Sequence, residues 1–175
     1  GEEPRAYLLS HHLIPPELLQ TYSSVLAQAL DGVRRCYARA GEVALIRLHG
    51  DCHSGNVLWT DAGPHFVDFD DSRMGPAIQD LWMLLSGERA DMGRQLLDVL
   101  AGYEDFMDFD PRQLHLIEAL RTLRLIHYSA WLARRWDDPA FPVAFPWFNT
   151  QCYWQDRILE LREQIALMDQ PPLQV

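Results

Sequence analysis

The stretch Leu48-His49-Gly50-Asp51-Cys52-His53-Ser54-Gly55-Asn56, with Phe66-Val67-Asp68-Phe69-Asp70-Asp71 shortly after it, decides how this chain reads. Polar residues gather there at the ends of short apolar runs, where loops anchored on strands tend to hold functional groups. Asn56 stands five positions after Asp51, and Asp68 twelve after Asn56. Val57 to Thr60 and His65 to Phe69 are β-rich, and Asp61-Ala62-Gly63-Pro64 between them carries turn chemistry. A hairpin is expected, returning Asp68 towards Asn56. An amide oxygen and a carboxylate suit Mg2+, a hard cation that keeps several waters and takes one or two carboxylates plus substrate phosphates. Asp51 is then placed to accept a hydroxyl proton. The set points to phosphoryl transfer, which asks the protein chiefly for positioning and charge neutralisation.

Two other readings use the same residues. His49, Asp51 and Asn56 can be turn and cap residues that satisfy backbone groups. His49, Asp51 and His53 can alternate as zinc or iron ligands. Gly50 and Gly55 favour a loop over the strand that such alternation requires.

Working outward, Pro15-Pro16 opens a helical pattern that runs from Leu18 to Tyr37 at three- and four-residue steps, with Gly41 at the position of a C-terminal cap. Gly1 to Ser10 is polar and then apolar. Val43 to Leu48 reads as a short buried strand. Asp80 is expected to N-cap a helix over Leu81 to Leu85. Further helices are expected over Met92 to Phe106, Leu114 to Trp136 and Gln151 to Met168. The three prolines of Asp137 to Pro146 predict a loop or an extended crossing. The fold class is therefore α+β and mostly helical, with a small β-hairpin carrying the loop. Three segments are expected: a leading helical one at 1–42, the loop-bearing one at 43–86 and a helical subdomain at 87–175.

Composition narrows the function. The chain has 175 residues and a net charge of −10, and all 15 of its basic residues are arginine. Without lysine it cannot hold a P-loop lysine, a Schiff-base amine or a kinase strand lysine. The acidic balance argues against nucleic acid and anionic membranes as partners. Apolar runs such as Leu81 to Leu85 fall far short of a membrane span. Three widely spaced cysteines suggest free thiols and a reducing compartment. Carboxylates around Cys52 should raise its pKa, so it reads as structural. Arg73 is expected to be a solvated loop residue; a pair with Asp71 and a contact with a substrate phosphate are the alternatives.

His49-Gly-Asp51-x-His53-x-x-Asn56 with the later Val67-Asp68 resembles the aminoglycoside phosphotransferase and choline kinase group of protein-kinase-like enzymes. The stretches from Leu48 to Trp59, Phe66 to Leu85 and Ile117 to Trp154 resemble its bacterial stress-response kinases. The resemblance implies the C-terminal lobe of a protein-kinase-like fold. It implies a cytoplasmic Ser/Thr protein kinase that moves the γ-phosphoryl of ATP to a protein hydroxyl with Mg2+. Asp51 falls on the base, and Asn56 and Asp68 fall on the metal and ATP ligands. Asp68 counts with Asp51 as catalytic, while His49 and Asp80 brace the loop. Asp70 stands where eukaryotic kinases have glycine. A Gly-rich loop, a strand lysine and most of the hinge are expected in an N-terminal ATP lobe outside this chain, which is then inactive by itself. Arg121, Arg124 and Tyr128, with Trp131 and Arg135, form a polar and aromatic helical stripe that could line a substrate groove. A small-molecule kinase acting on an amino sugar, choline or homoserine remains open, as does a non-catalytic module derived from a kinase.

Overall fold

A computed structural model describes residues 1–174; Val175, the last residue of the expected third segment, lies outside the described residues. The chain forms two compact units, each drawn from separate stretches of sequence.

The helical unit takes Gly1–Ala38 and Glu118–Gln170. It is built on α1 (Glu2–Ser10), most of α2 (Pro16–Ala40), α5 (Ile117–Arg135), α6 (Ala140–Ala144) and α7 (Gln151–Met168). Pro16 starts α2 because the first turn has no intrahelical partner for its missing N–H. Gly41 follows the helix with φ 67°, the left-handed turn that an αL cap requires. Apolar residues at helical spacing, Tyr22, Leu26, Ala29 and Leu30 on α2 and Ile126, Ala130 and Ala133 on α5, meet Trp154, Ile158 and Leu161 of α7 in one core. Trp154 is fully buried, with Tyr22 edge-on at 5.3 Å.

Two elements here differ from the sequence expectation. Gly1 to Ser10 contributes a helix that buries Pro4 and Leu8. The proline-rich stretch holds a helix, α6, where a loop or extended crossing was expected. Pro139 precedes α6 and Pro142 lies in its first turn, where a missing N–H costs no hydrogen bond.

The mixed unit takes Arg39–Ile117 and the C-terminal tail from Pro171. Its strands form two separate two-stranded antiparallel sheets, β1 (Ile46–Leu48) with β4 (Arg73–Gly75), and β2 (Val57–Thr60) with β3 (Gly63–Phe66). Then come α3 (Ile78–Leu81), a 3-10 turn (Trp82–Leu84), α4 (Arg89–Glu104) and a second 3-10 segment (Pro111–Leu116) that leads into α5. So α5 begins at Ile117, and the expected Leu114 start falls in a tighter turn.

The hairpin is tighter than the turn chemistry suggested. Thr60 pairs with Gly63 across Asp61-Ala62, so β3 begins at Gly63 and ends at Phe66. Antiparallel pairs alternate between bonded and non-bonded. Thr60 and Gly63 close the hairpin, which puts Pro64, opposite Trp59, at a non-bonded position that needs no N–H. Val67 N still donates to Asn56 O at 3.1 Å, but Asp68 lies beyond the strand with φ 65°.

The architecture is mostly helical, with two small sheets confined to the mixed unit. Among the described residues, no helix is long and apolar enough to cross a membrane.

Candidate active site

β1 delivers the chain from Leu48 into His49-Gly50-Asp51, and the backbone there is gripped from several directions. The Asp80 carboxylate accepts from His49 N at 2.7 Å and from Gly50 N at 2.9 Å. Such charge-assisted bonds are the stronger kind. Asp80 lies inside α3, so the N-cap expected there is replaced by a carboxylate aimed at the loop. Arg73 Nη2 donates to Gly50 O at 3.0 Å, and Gln79 Nε2 reaches the same oxygen at 3.4 Å. Arg73 is exposed, as expected of a solvated loop residue, and it also clamps the loop through this bond.

Gly50 is required where it stands. Its φ is 90°, and a Cβ placed on it would come within 2.1 Å of Asp71 O. The loop and the backbone after Asp70 approach too closely for any side chain.

His49 joins the loop to the hairpin. Its Nε2 donates to Val67 O at 2.8 Å, and its Nδ1 accepts from Asp51 N at 3.4 Å. That pair of bonds places the proton on Nε2. The ring also lies 4.7 Å from the Phe69 ring. Asn56 is buried, and its Nδ2 donates to Asp51 O at 3.0 Å, which leaves Oδ1 as the amide's lone-pair end. A closed path of hydrogen bonds thus runs from Asp51 through Asn56, Val67 and His49 back to Asp51, with Asp68 next along the chain.

The Asp51 carboxylate is partly exposed, with His53 Nε2 3.5 Å from its Oδ2. His53 also caps the short 3-10 turn Ser54–Asn56 through Nδ1, which accepts from Gly55 N. Asp68 is exposed, and its positive φ is tolerated by aspartate far better than by a branched residue.

The zinc or iron reading fails on these bonds. Both ring nitrogens of His49 are engaged with the backbone, and the described residues contain no cluster of three or more His, Cys, Asp or Glu side chains able to hold a metal. Asn56 Oδ1 and the Asp68 carboxylate are oxygen donors of the kind that Mg2+ takes together with water and phosphate. Cys52 is buried beside Asp51. Burial first, then the Asp80 and Asp51 charges, push its thiol up to about 11, away from reactivity.

Arg121, Arg124 and Tyr128 belong to the helical unit. Arg121 pairs with Glu118 at 3.7 Å, and Tyr128 stacks on Trp131 at 5.9 Å. The grips by Arg73 and Gln79 were not anticipated from sequence. The available signal was the position of Arg73, two residues after Asp71 and opposite Leu48 once the strands pair.

Comparison with known proteins bears on this geometry. The model of a family described as the phosphotransferase enzyme family matches residues 3–117. Stress response kinase A of Salmonella choleraesuis is 46% identical over 173 residues, covering 99% of this chain and 52% of that protein. The serine/threonine protein kinase RdoA of Salmonella typhimurium matches to the same extent, and stress response kinase A of Escherichia coli is 44% identical. The chain spans about half the length of these curated relatives. A spectinomycin phosphotransferase, crystallised with ADP and spectinomycin, superposes with a TM-score of 0.54 at 15% identity, over 98% of this chain and 53% of that one.

Proposed function

This chain belongs to the phosphotransferase enzyme family, and from that membership we propose that it carries the catalytic loop of an ATP-dependent Ser/Thr protein kinase of the bacterial stress-response type, working in the cytoplasm. The observation that supports this best is the closed hydrogen-bonded path through Asp51, Asn56, Val67 and His49. It holds the backbone of Asp51 and the side-chain amide of Asn56 in fixed relation and anchors Val67, the residue before Asp68. That is the positioning phosphoryl transfer needs.

In this reading Asp51 orients the acceptor hydroxyl and takes its proton. Asn56 Oδ1 and the Asp68 carboxylate are the ligands for Mg2+. Bound there, Mg2+ would neutralise charge on the phosphates of ATP. His49 and Asp80 act through the backbone. His49 fixes Val67 and Asp51 relative to each other, and Asp80 fixes the two residues before Asp51. The lysine that pairs with the α/β-phosphates in such enzymes has to come from outside these 175 residues, because they contain none.

The relatives' names support a protein acceptor. The test uses the full-length gene product, ATP labelled at the γ-phosphate, and a Ser/Thr-containing protein offered beside an amino sugar, choline and homoserine. Label on protein Ser or Thr, lost on chelation of Mg2+, is the expected result. Label on a small molecule alone would replace the acceptor class. Transfer that survives Asp51→Ala unchanged would overturn the site.

A further inference from the structure

His53 reaches Asp51 twice. Its backbone N donates to Asp51 O at 2.9 Å, and its ring Nε2 lies 3.5 Å from Asp51 Oδ2. We infer that His53 is a positioning residue, whose ring holds the Asp51 carboxylate in one orientation for the acceptor hydroxyl. The role rests on Asp51 being the base that takes the acceptor's proton.

The carboxylate needs such a hold. The bonds from His49 and Asn56 end on Asp51 N and O, so they fix its backbone and not the end of its side chain. In aspartate that end turns about χ2, a torsion with broad wells. Misplacing a reacting oxygen by about 1 Å can cost about a hundredfold in rate.

The imidazole is itself fixed, with its proton in a defined place. His53 Nδ1 accepts from Gly55 N at 3.0 Å, so the neutral ring carries its proton on Nε2, the nitrogen that faces Asp51. Gly55 supplies space as well as an amide. A Cβ there would lie 2.8 Å from His53 Cε1 and 2.9 Å from Nδ1, inside the contact distance of the ring. Gly55 is not among the residues with positive φ, so the seat of the imidazole is what asks for glycine at this position.

Exposure suits orientation better than stability. The His53 side chain is 41% exposed and that of Asp51 22%. Pairs this open to water contribute little to folding. They do lie where an acceptor hydroxyl can arrive from solvent. A separation of 3.5 Å is an electrostatic contact, and the soft χ2 torsion lets it shorten to a hydrogen bond as the hydroxyl seats.

Two substitutions separate the two ring nitrogens. In His53→Asn, Oδ1 replaces Nδ1 as the cap of the 3-10 turn, and the side chain is too short to reach the Asp51 carboxylate. In His53→Gln, the Nε2 amide replaces the ring donor to Asp51, and the cap is lost. The assay uses the full-length gene product with γ-labelled ATP and a protein acceptor. His53→Asn should lower kcat about tenfold at unchanged KM for ATP, while His53→Gln stays within about threefold of the parent. Equal kcat in the two variants, or the reverse order, would overturn the inference, because His53 would then serve the turn alone. In an Asp51→Ala background, His53→Asn should lower kcat by less than about twofold further, since the group it positions is gone. A further loss as large as in the parent would overturn the inference as well. Unchanged turnover in Asp51→Ala would remove the base and this role together, whereas a loss there with none in His53→Asn removes the role of His53 alone. A readout without turnover comes from the 15N resonances of the His53 ring in this chain, identified by their disappearance in His53→Asn. Asp51→Asn should move the Nε2 resonance and leave Nδ1 in place. An unmoved Nε2, or a proton found on Nδ1, would overturn the contact.

Discussion

Asp51 stands at the end of a chain of constraints that begins at Asp80. The Asp80 carboxylate fixes two successive amides, Arg73 fixes the carbonyl between them and Asp51, and Asn56 takes the carbonyl of Asp51 itself. Asp51→Ala in the full-length protein should lower turnover by ~10²–10⁴, the usual worth of a general base, with an unchanged circular dichroism spectrum. Asp68→Asn should raise the Mg2+ and ATP concentrations needed for half-maximal rate together. Independent shifts in the two would remove Asp68 from the metal. Gly50→Ala tests the loop separately from the chemistry. A methyl group there meets backbone oxygen in a region of φ that alanine avoids, and neither can yield. A loss of at least about 1–3 kcal/mol in urea unfolding is expected. The loop positions were legible because they are coded in spacing. Asp51, Asn56 and Asp68 are recognisable as a linear pattern, while the Arg73 clamp exists only once β1 and β4 pair.

Element boundaries were less legible than element identities, for reasons particular to each. α2 announced itself through Pro16, a long apolar stripe and Gly41. α1 gave a weak signal because its apolar residues run together from Ala6 to Leu9 with no helical spacing, although Leu8 is fully buried and Tyr7 and Leu9 pack on the core. α6 was hidden by prolines that a first turn accepts. Asp80 looked like a cap because Leu81 and Trp82 follow it, but the helix had already started at Ile78. The N-cap of α7 is a clear case where sequence and structure agree on the helix, and its contribution can be measured. Thr150 Oγ1 accepts from Tyr153 N at 3.2 Å. Thr150→Ala should cost about 1 kcal/mol, and Thr150→Ser should recover most of it.

At the scale of the molecule, the two units differ in how their apolar residues are placed. The helical unit buries a continuous core. The mixed unit leaves Leu58, Trp59, Phe66, Phe69 and Met74 exposed, with Trp59 at 77%. Trp59 and Phe66 lie on the same face of the β2–β3 ribbon, two pairs apart. Exposed apolar patches of this kind promote association. Sedimentation of this chain alone should therefore show mass rising with concentration, and Trp59→Ser should reduce the effect. A monomer at every concentration would show that other surfaces shield these residues. The division into units could not be read from the pattern of elements, because it depends on which distant stretches pack together.

The three cysteines also give this chain a selective chemical handle. Cys36 is buried, Cys52 is buried with its thiol held up at about 11, and Cys152 is exposed on α7. A raised thiol pKa keeps Cys52 protonated until the solution approaches that value, so at pH 8 it supplies almost no thiolate to a maleimide. Mass spectrometry at pH 8 should find one adduct per chain, on Cys152, with a second on Cys52 only near pH 11 or after unfolding. A dye or spin label can thus be placed near the start of α7 in the native protein without removing a residue.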